Sequence, residues 1–258
     1  MGFAIVVPCY NEAGRWSVDY WCEVLAVPGV SWLFVDDGST DGTADLLDEV
    51  SRADNAEALR LTPNGGKADA VRRGIQALLA RDPQPDGIGY MDADGAFNAA
   101  DIRDIVQAFG QRTKSDPPVD AVWSSRVALA GRDIRRSTSR HYIGRVIATF
   151  VSVGQDEIPY DTQSGLKLFV ASVNLENCLR EPFRTRWLFE LELLSRWQGE
   201  TGSEMRIWEE PLNYWHDVPG SKIRGKETLR VIRELAIVKT EQRKARSQQR
   251  DGHHGGPK

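Results

Sequence analysis

Short apolar runs alternate with longer segments of helical spacing through the first half of this chain, and that alternation restricts the fold more than any other feature. FAIVVP, SWLFVDD, EALRLT, GIGYMDAD and DAVWSS are each short, apolar and closed by a turn signal, the pattern of strands. Between them, RWSVDYWCEVLAV follows an N-E-A-G turn and TADLLDEVSR follows the capping residues of STDG. KADAVRRGIQALLARD spaces its Ala, Val, Ile and Leu at i, i+3, i+4 and i+7. Repeated β-α units predict an α/β fold with a mostly parallel central sheet and helices on both faces. The 258 residues, 41% of them hydrophobic, suffice for one substantial core, so we expect a single domain.

The second half is less regular. DTQSGLKLF reads as a turn into a strand, RWLFELELLSRW as a helix and RIWEEPLNYW as another strand. An amphipathic helix is expected from about Lys226 to Arg246, followed by a polar tail ending GHHGGPK that has nothing apolar to pack. Trp187 and Trp215 are expected in the core.

Composition excludes several classes. The net charge of -4 provides no basic field for nucleic acid. Cys9, Cys22 and Cys178 are far apart with no CxxC spacing, which argues against a zinc site or a disulfide framework and fits a reducing compartment. The start of the chain lacks the pattern of a signal peptide, and no apolar run approaches the roughly 20 residues of a membrane span. A cytoplasmic protein, peripheral on the inner face of a membrane if it meets one, is the expectation.

The chemistry concentrates where strands end. VDDGSTDG and YMDADG each place two carboxylates at the opening of a loop, and ligands of such sheets bind outside the carboxyl ends of the strands. Asp92 and Asp94, spaced DxD, suit a hard divalent cation, Mg²⁺ or Mn²⁺, whose shell substrate phosphates would complete; the same acids also suit the cap of a following helix. Ser39, Thr40 and Asp41 read as turn and cap residues. Asp37 is placed to accept hydrogen bonds from a base or ribose. In NGGKADAV, two glycines precede a helix whose first turn carries Lys67, a diphosphate contact in kind, although the GxxxxGK[ST] pattern is absent.

Taken in order, PCYNE, VDDGSTDGT, NGGKADAVRRG and MDADG resemble the family 2 glycosyltransferases with the GT-A fold. WSSR, DTQSGLKLF, RWLFELELL and PLNYWHDVPGSKI narrow the likeness to the polyprenyl-phosphate sugar transferases, such as dolichyl-phosphate glucosyltransferase and mannose synthase. That resemblance implies a GT-A domain over residues 1–225, with a nucleotide-sugar half at 1–120 and an acceptor half at 121–225, followed by a C-terminal helix and tail at 226–258. It implies that Pro8, Tyr10, Glu12 and Asp37 line the base and ribose pocket with Lys67 close by. Asp92, Ala93 and Asp94 would meet the metal and the sugar nucleotide. Arg126, Arg140, Lys167 and Lys222 would surround the donor diphosphate and the acceptor, and Asp161 would lie near the acceptor. The implied reaction is an inverting transfer of a hexose, from UDP-glucose or a similar donor, to a polyprenyl phosphate. Two rivals are a soluble transferase acting on a hydroxyl, for which Asp161 would be the base, and a sugar-nucleotide-binding module without turnover. The Ala96 that follows the DxD, where mannose synthases often carry Gln, favours the glucosyl branch.

Around Arg132, Arg135, Arg136, Arg140 and Arg145 there is little compensating acid apart from Asp133. Tyr142, Ile143, Val146, Ile147, Phe150 and Val151 follow as one helical stripe, the arrangement of a basic interfacial helix or of plain core.

Overall fold

The computed structural model describes residues 2–135, 159–216, 231 and 233–244. The basic segment from Arg136 onward with its apolar stripe, Arg140, Lys222 and the tail lie outside the described residues.

Four parallel strands begin the sheet: β1 (Phe3–Cys9), β2 (Val30–Asp36), β3 (Ala56–Arg60) and β4 (Gly87–Met91). β5 (Ala121–Ser125), β7 (Leu166–Val170) and β8 (Ile207–Pro211) complete a seven-stranded sheet in the order β3-β2-β1-β4-β7-β5-β8. Only β7 runs against its neighbours. A separate two-stranded ribbon pairs β6 (Asp133–Arg135) with β9 (Tyr214–His216).

Alternation along β1 shows how the sheet is covered. Ala4 and Val6 face one layer, built on α3 (Lys67–Leu79), α5 (Val173–Leu179), α6 (Phe189–Thr201) and Val238 of a C-terminal helix, α7, at 233–244. Phe3, Ile5 and Val7 face the other, built on α1 (Val18–Leu25), α2 (Thr43–Val50) and α4 (Ala99–Arg112). Both faces are dry, which is why the strands read as continuous apolar runs. Val238 is fully buried, so α7 packs on this layer.

The expected strands and helices of the first half form where they were read. RIWEEPLNYW is not one strand: it breaks between β8 and β9, where the Leu212 amide donates to the Ser125 carbonyl and Asp101 and Asp104 accept from Asn213. α4 is the helix expected after DADG; Asn98 caps it, and Ile102, Ile105, Ala108 and Phe109 carry its buried stripe. Trp215 is in the core as expected, but Trp187 is 46% exposed. No helix among the described residues is long and apolar enough to cross a membrane.

Candidate active site

β1 lies between β2 and β4, so the chain leaves β1 in one direction for β2 and β3 and reaches β4 on the opposite side. This is the topological switch point at which open α/β sheets bind ligands. The loops after β1, β2, β3 and β4 converge on that edge. Because β7 is antiparallel, the residues that precede it join them, and so does the end of β5.

The loop after β1 is stitched to the loop after β2. Asn11, at φ 54°, accepts from the Thr40 amide at 2.8 Å, while its own amide donates to Ser39 Oγ at 3.1 Å. The Glu12 amide donates to Thr43 Oγ1, and its buried carboxylate is gripped by Arg15 through Nε and Nη2. Asp41 accepts from the Thr43 amide at 2.9 Å, so Ser39, Thr40 and Asp41 have turn and capping work. Pro8 is half-buried and Tyr10 is exposed on the same rim.

Asp37 is almost fully buried, and its oxygens accept from the Gly65 and Gly66 amides at 2.8 and 2.7 Å. The carboxylate thereby holds the turn that starts α3. Gly66 has φ 87°, where a side chain is strained, and Lys67 follows it. Lys67 Nζ lies 2.6 Å from Asp92 Oδ1. Burial pulls the Lys67 ammonium down, but the charges of Asp92 and Glu190 outweigh it and its pKa ends above the ordinary value.

The two acids of the DxD are not caps. Asn98 accepts from the Asp101 amide and caps α4, leaving Asp92 and Asp94 to the site. Burial, and then the charge of Asp92, raise the pKa of Asp94. Asp92 Oδ1 is buried without a well-aligned hydrogen bond, its close neighbour being the Lys67 ammonium. Such an oxygen fits a cation. Among the described residues no three His, Cys, Asp or Glu side chains converge as a metal cage. Two carboxylates with substrate phosphates are what Mg²⁺ ordinarily uses, so the donor set fits Mg²⁺ or Mn²⁺. Ala93 stands half-buried between them.

Arg126, at the end of β5, grips Asp161 through a fork: Nε to Oδ2 at 2.7 Å and Nη2 to Oδ1 at 2.8 Å, with the Arg126 amide on Oδ2 at 3.0 Å. Glu209 holds the Tyr160 and Asp161 amides from β8, and Trp215 lies 5.1 Å from the guanidinium. Lys167 lies away from the surface. Its ammonium is fully buried and donates to Tyr90 Oη, the Thr162 and Ser164 carbonyls and Glu190. Burial, only partly offset by the charge of Glu190, lowers its pKa. Lys167 is therefore a strut beneath the DTQSG loop, with no exposed surface for a diphosphate. Glu190, Glu209 and Glu234 were missed in the sequence; the available signal was acid on otherwise apolar faces, which demands buried partners.

A mostly parallel seven-stranded sheet, with acidic loops gathered at its switch point, is the architecture of the GT-A glycosyltransferases. The chain belongs to glycosyl transferase family 2, whose model matches residues 4–152. It is 32% identical over 238 residues to the dolichyl-phosphate beta-glucosyltransferase of Dictyostelium discoideum, covering 85% of this chain and 68% of the relative. It is 32% identical over 111 residues to the polyprenol monophosphomannose synthase of Mycolicibacterium smegmatis, covering 40% of this chain but 39% of that one. The fold resembles glucosyl-3-phosphoglycerate synthase of Mycobacterium tuberculosis, crystallised with Mn²⁺, UDP and phosphoglyceric acid, at a TM-score of 0.61 and 15% identity. That match covers 93% of this chain and 78% of the other.

Proposed function

We propose that the protein is an inverting glycosyltransferase that moves a hexose from a nucleotide-diphospho-sugar, UDP-glucose first among them, to a polyprenyl phosphate. The observation that carries the acceptor half is the Arg126–Asp161 fork. A hydroxyl acceptor needs a general base, and the carboxylate the sequence offers for that work is committed to a guanidinium and a backbone amide. A phosphate monoester is largely ionised near neutral pH, so it needs positioning by cations rather than deprotonation. The likeness to the Dictyostelium glucosyltransferase supports the same acceptor.

In this reading Pro8, Tyr10 and Glu12 border the base and ribose, and Asp37 acts on the donor through the turn it holds. Asp92 and Asp94 would hold Mg²⁺ or Mn²⁺, which supplies neutralisation of charge on the departing nucleoside diphosphate. Lys67 adds a protein cation beside those phosphates. Arg126 faces the acceptor side, and Arg140 and Lys222 are further cations for the two phosphates. The stretch from Arg132 to Val153 brings the site to an anionic bilayer surface, where the lipid acceptor resides.

Purified protein incubated with labelled UDP- and GDP-sugars and a short polyprenyl phosphate, with product mass as readout, tests the reaction. The expected product is a glucosyl polyprenyl phosphate that disappears with EDTA. Transfer to a soluble hydroxyl acceptor and none to the lipid phosphate overturns the acceptor assignment; binding of the donor without turnover overturns the enzyme assignment.

A further inference from the structure

Several arginines of this face of the molecule are spent on carboxylates: Arg15 on Glu12, Arg72 on Asp69, Arg126 on Asp161, Arg184 on Glu241 and Arg196 on Glu192. Arg186 is the exception. It is exposed, and among the described residues its guanidinium has neither a carboxylate nor a hydrogen-bond acceptor. Its position is nevertheless specific. Nε and Cζ lie 3.5 and 3.6 Å from the point where a side chain on Gly66 would begin. Gly66 is the residue before Lys67, whose ammonium meets Asp92.

The backbone on both sides of Arg186 is pinned by buried acids. Glu192 Oε2 accepts from the Thr185 amide and from Thr185 Oγ1, both at 2.9 Å. Glu234 Oε2, on α7, accepts from the Trp187 amide at 2.9 Å and from the Leu188 amide at 3.1 Å. Both acids are nearly inaccessible to solvent. A free surface arginine needs no such clamp, and buried carboxylates spent on main-chain amides are an expensive way to hold a loop unless the loop must present something. What it presents is an unpaired guanidinium over the glycine turn that leads into Lys67, a fork of donors that matches phosphate oxygens.

We infer that Arg186 is a positioning residue for phosphate oxygens at this site, and that α7, through Glu234, holds it in place. The inference rests on the phosphate chemistry of the proposed reaction but on neither its nucleobase nor its lipid. The phosphate oxygens have two sources, the donor diphosphate and the acceptor monophosphate.

Calorimetric titration of the full chain with inorganic pyrophosphate in Mg²⁺, and separately with a short isoprenyl monophosphate, tests the inference without turnover. Arg186→Gln is expected to weaken one of these anions about tenfold, the loss of a charge-assisted hydrogen bond, with its melting temperature unchanged because the side chain touches no buried partner. Arg186→Lys should recover only part of that affinity, since it keeps the charge and loses the fork. Glu234→Ala should shift the same anion in the same direction, which a purely structural role for α7 would not do selectively. Weakened pyrophosphate assigns Arg186 to the donor, and weakened monophosphate assigns it to the acceptor. Wild-type affinity for both anions in Arg186→Gln overturns the inference, as does wild-type protein that takes neither. Because inorganic pyrophosphate carries no base and no sugar, a wrong donor or acceptor assignment leaves this readout standing.

Discussion

Asp92 and Gly165 meet where β4 ends and β7 begins: the Asp92 amide donates to the Gly165 carbonyl at 2.9 Å, and the Asp92 carboxylate fills the space a side chain at 165 would need. The DTQSG turn is thereby the wall against which the first acid of the DxD rests. Gly165→Ala should push that carboxylate aside, lowering kcat about a hundredfold, the effect of misplacing a reacting group by about 1 Å. Metal affinity, read by Mn²⁺ titration, should fall with it. A Gly165→Ala protein with wild-type turnover would show that the contact is incidental.

Asp37 holds the glycine turn that starts α3. Asp37→Asn keeps the shape but loses an acceptor and the charge facing the Gly65 and Gly66 amides. The expected cost is about 1–3 kcal/mol of stability, measured by urea unfolding, with a raised donor KM because Lys67 follows that turn. A change confined to kcat, with KM and stability intact, would point instead to chemistry at Asp37.

The Arg126–Asp161 pair is nearly dry, with side chains 13% and 4% exposed. Arg126→Gln or Asp161→Asn alone should destabilise by about 3–5 kcal/mol, because each leaves a buried charge without its partner. The double variant should cost less than the two single losses added together. Strict additivity would mean that the two residues act separately. Survival of the acidic limb of the pH–rate profile in Asp161→Asn would confirm that no general base was removed.

Lys167 separates a structural cation from a binding one. Lys167→Met abandons Tyr90, two carbonyls and Glu190, whose Oε2 already has no hydrogen-bond partner. It should cost about 3–5 kcal/mol, and Lys167→Met with Glu190→Gln should regain at least half of that by removing the orphaned charge. Pyrophosphate affinity of the folded protein should change little; a selective loss of that affinity would return Lys167 to the donor.

Much of this was legible in the chain. β1 to β5 and α1 to α3 follow from apolar runs and 3.6-residue spacing, since strand and helix periodicities are local and each is closed by its own turn residues. The edge on which the acidic loops gather was legible too, because β-α alternation by itself directs loops such as DGSTDG and DADG to the carboxyl ends of the strands. The helix after DADG was expected, but its cap is Asn98 rather than an acid of the DxD, and the break at Leu212 was missed because it is made by partners more than 80 residues away in the sequence.

What the sequence determined by itself is which residue types stand at which strand ends. Their employment was decided by the tertiary structure, because a charge is assigned by its neighbours and those neighbours are distant in the chain. Lys67, Lys167, Arg126 and Arg186 look alike as cations in a string of letters. The antiparallel insertion of β7 sinks Lys167 under Tyr90 and Glu190, and the end of β5 gives Arg126 to Asp161. Lys67 meets Asp92 across the switch point, and Glu234 of α7 holds the Trp187 amide next to Arg186, whose guanidinium lies over Gly66. Burial makes each of these assignments binding, since an ion in a dry interior must be paired where it lies while one at the rim keeps its charge for a ligand.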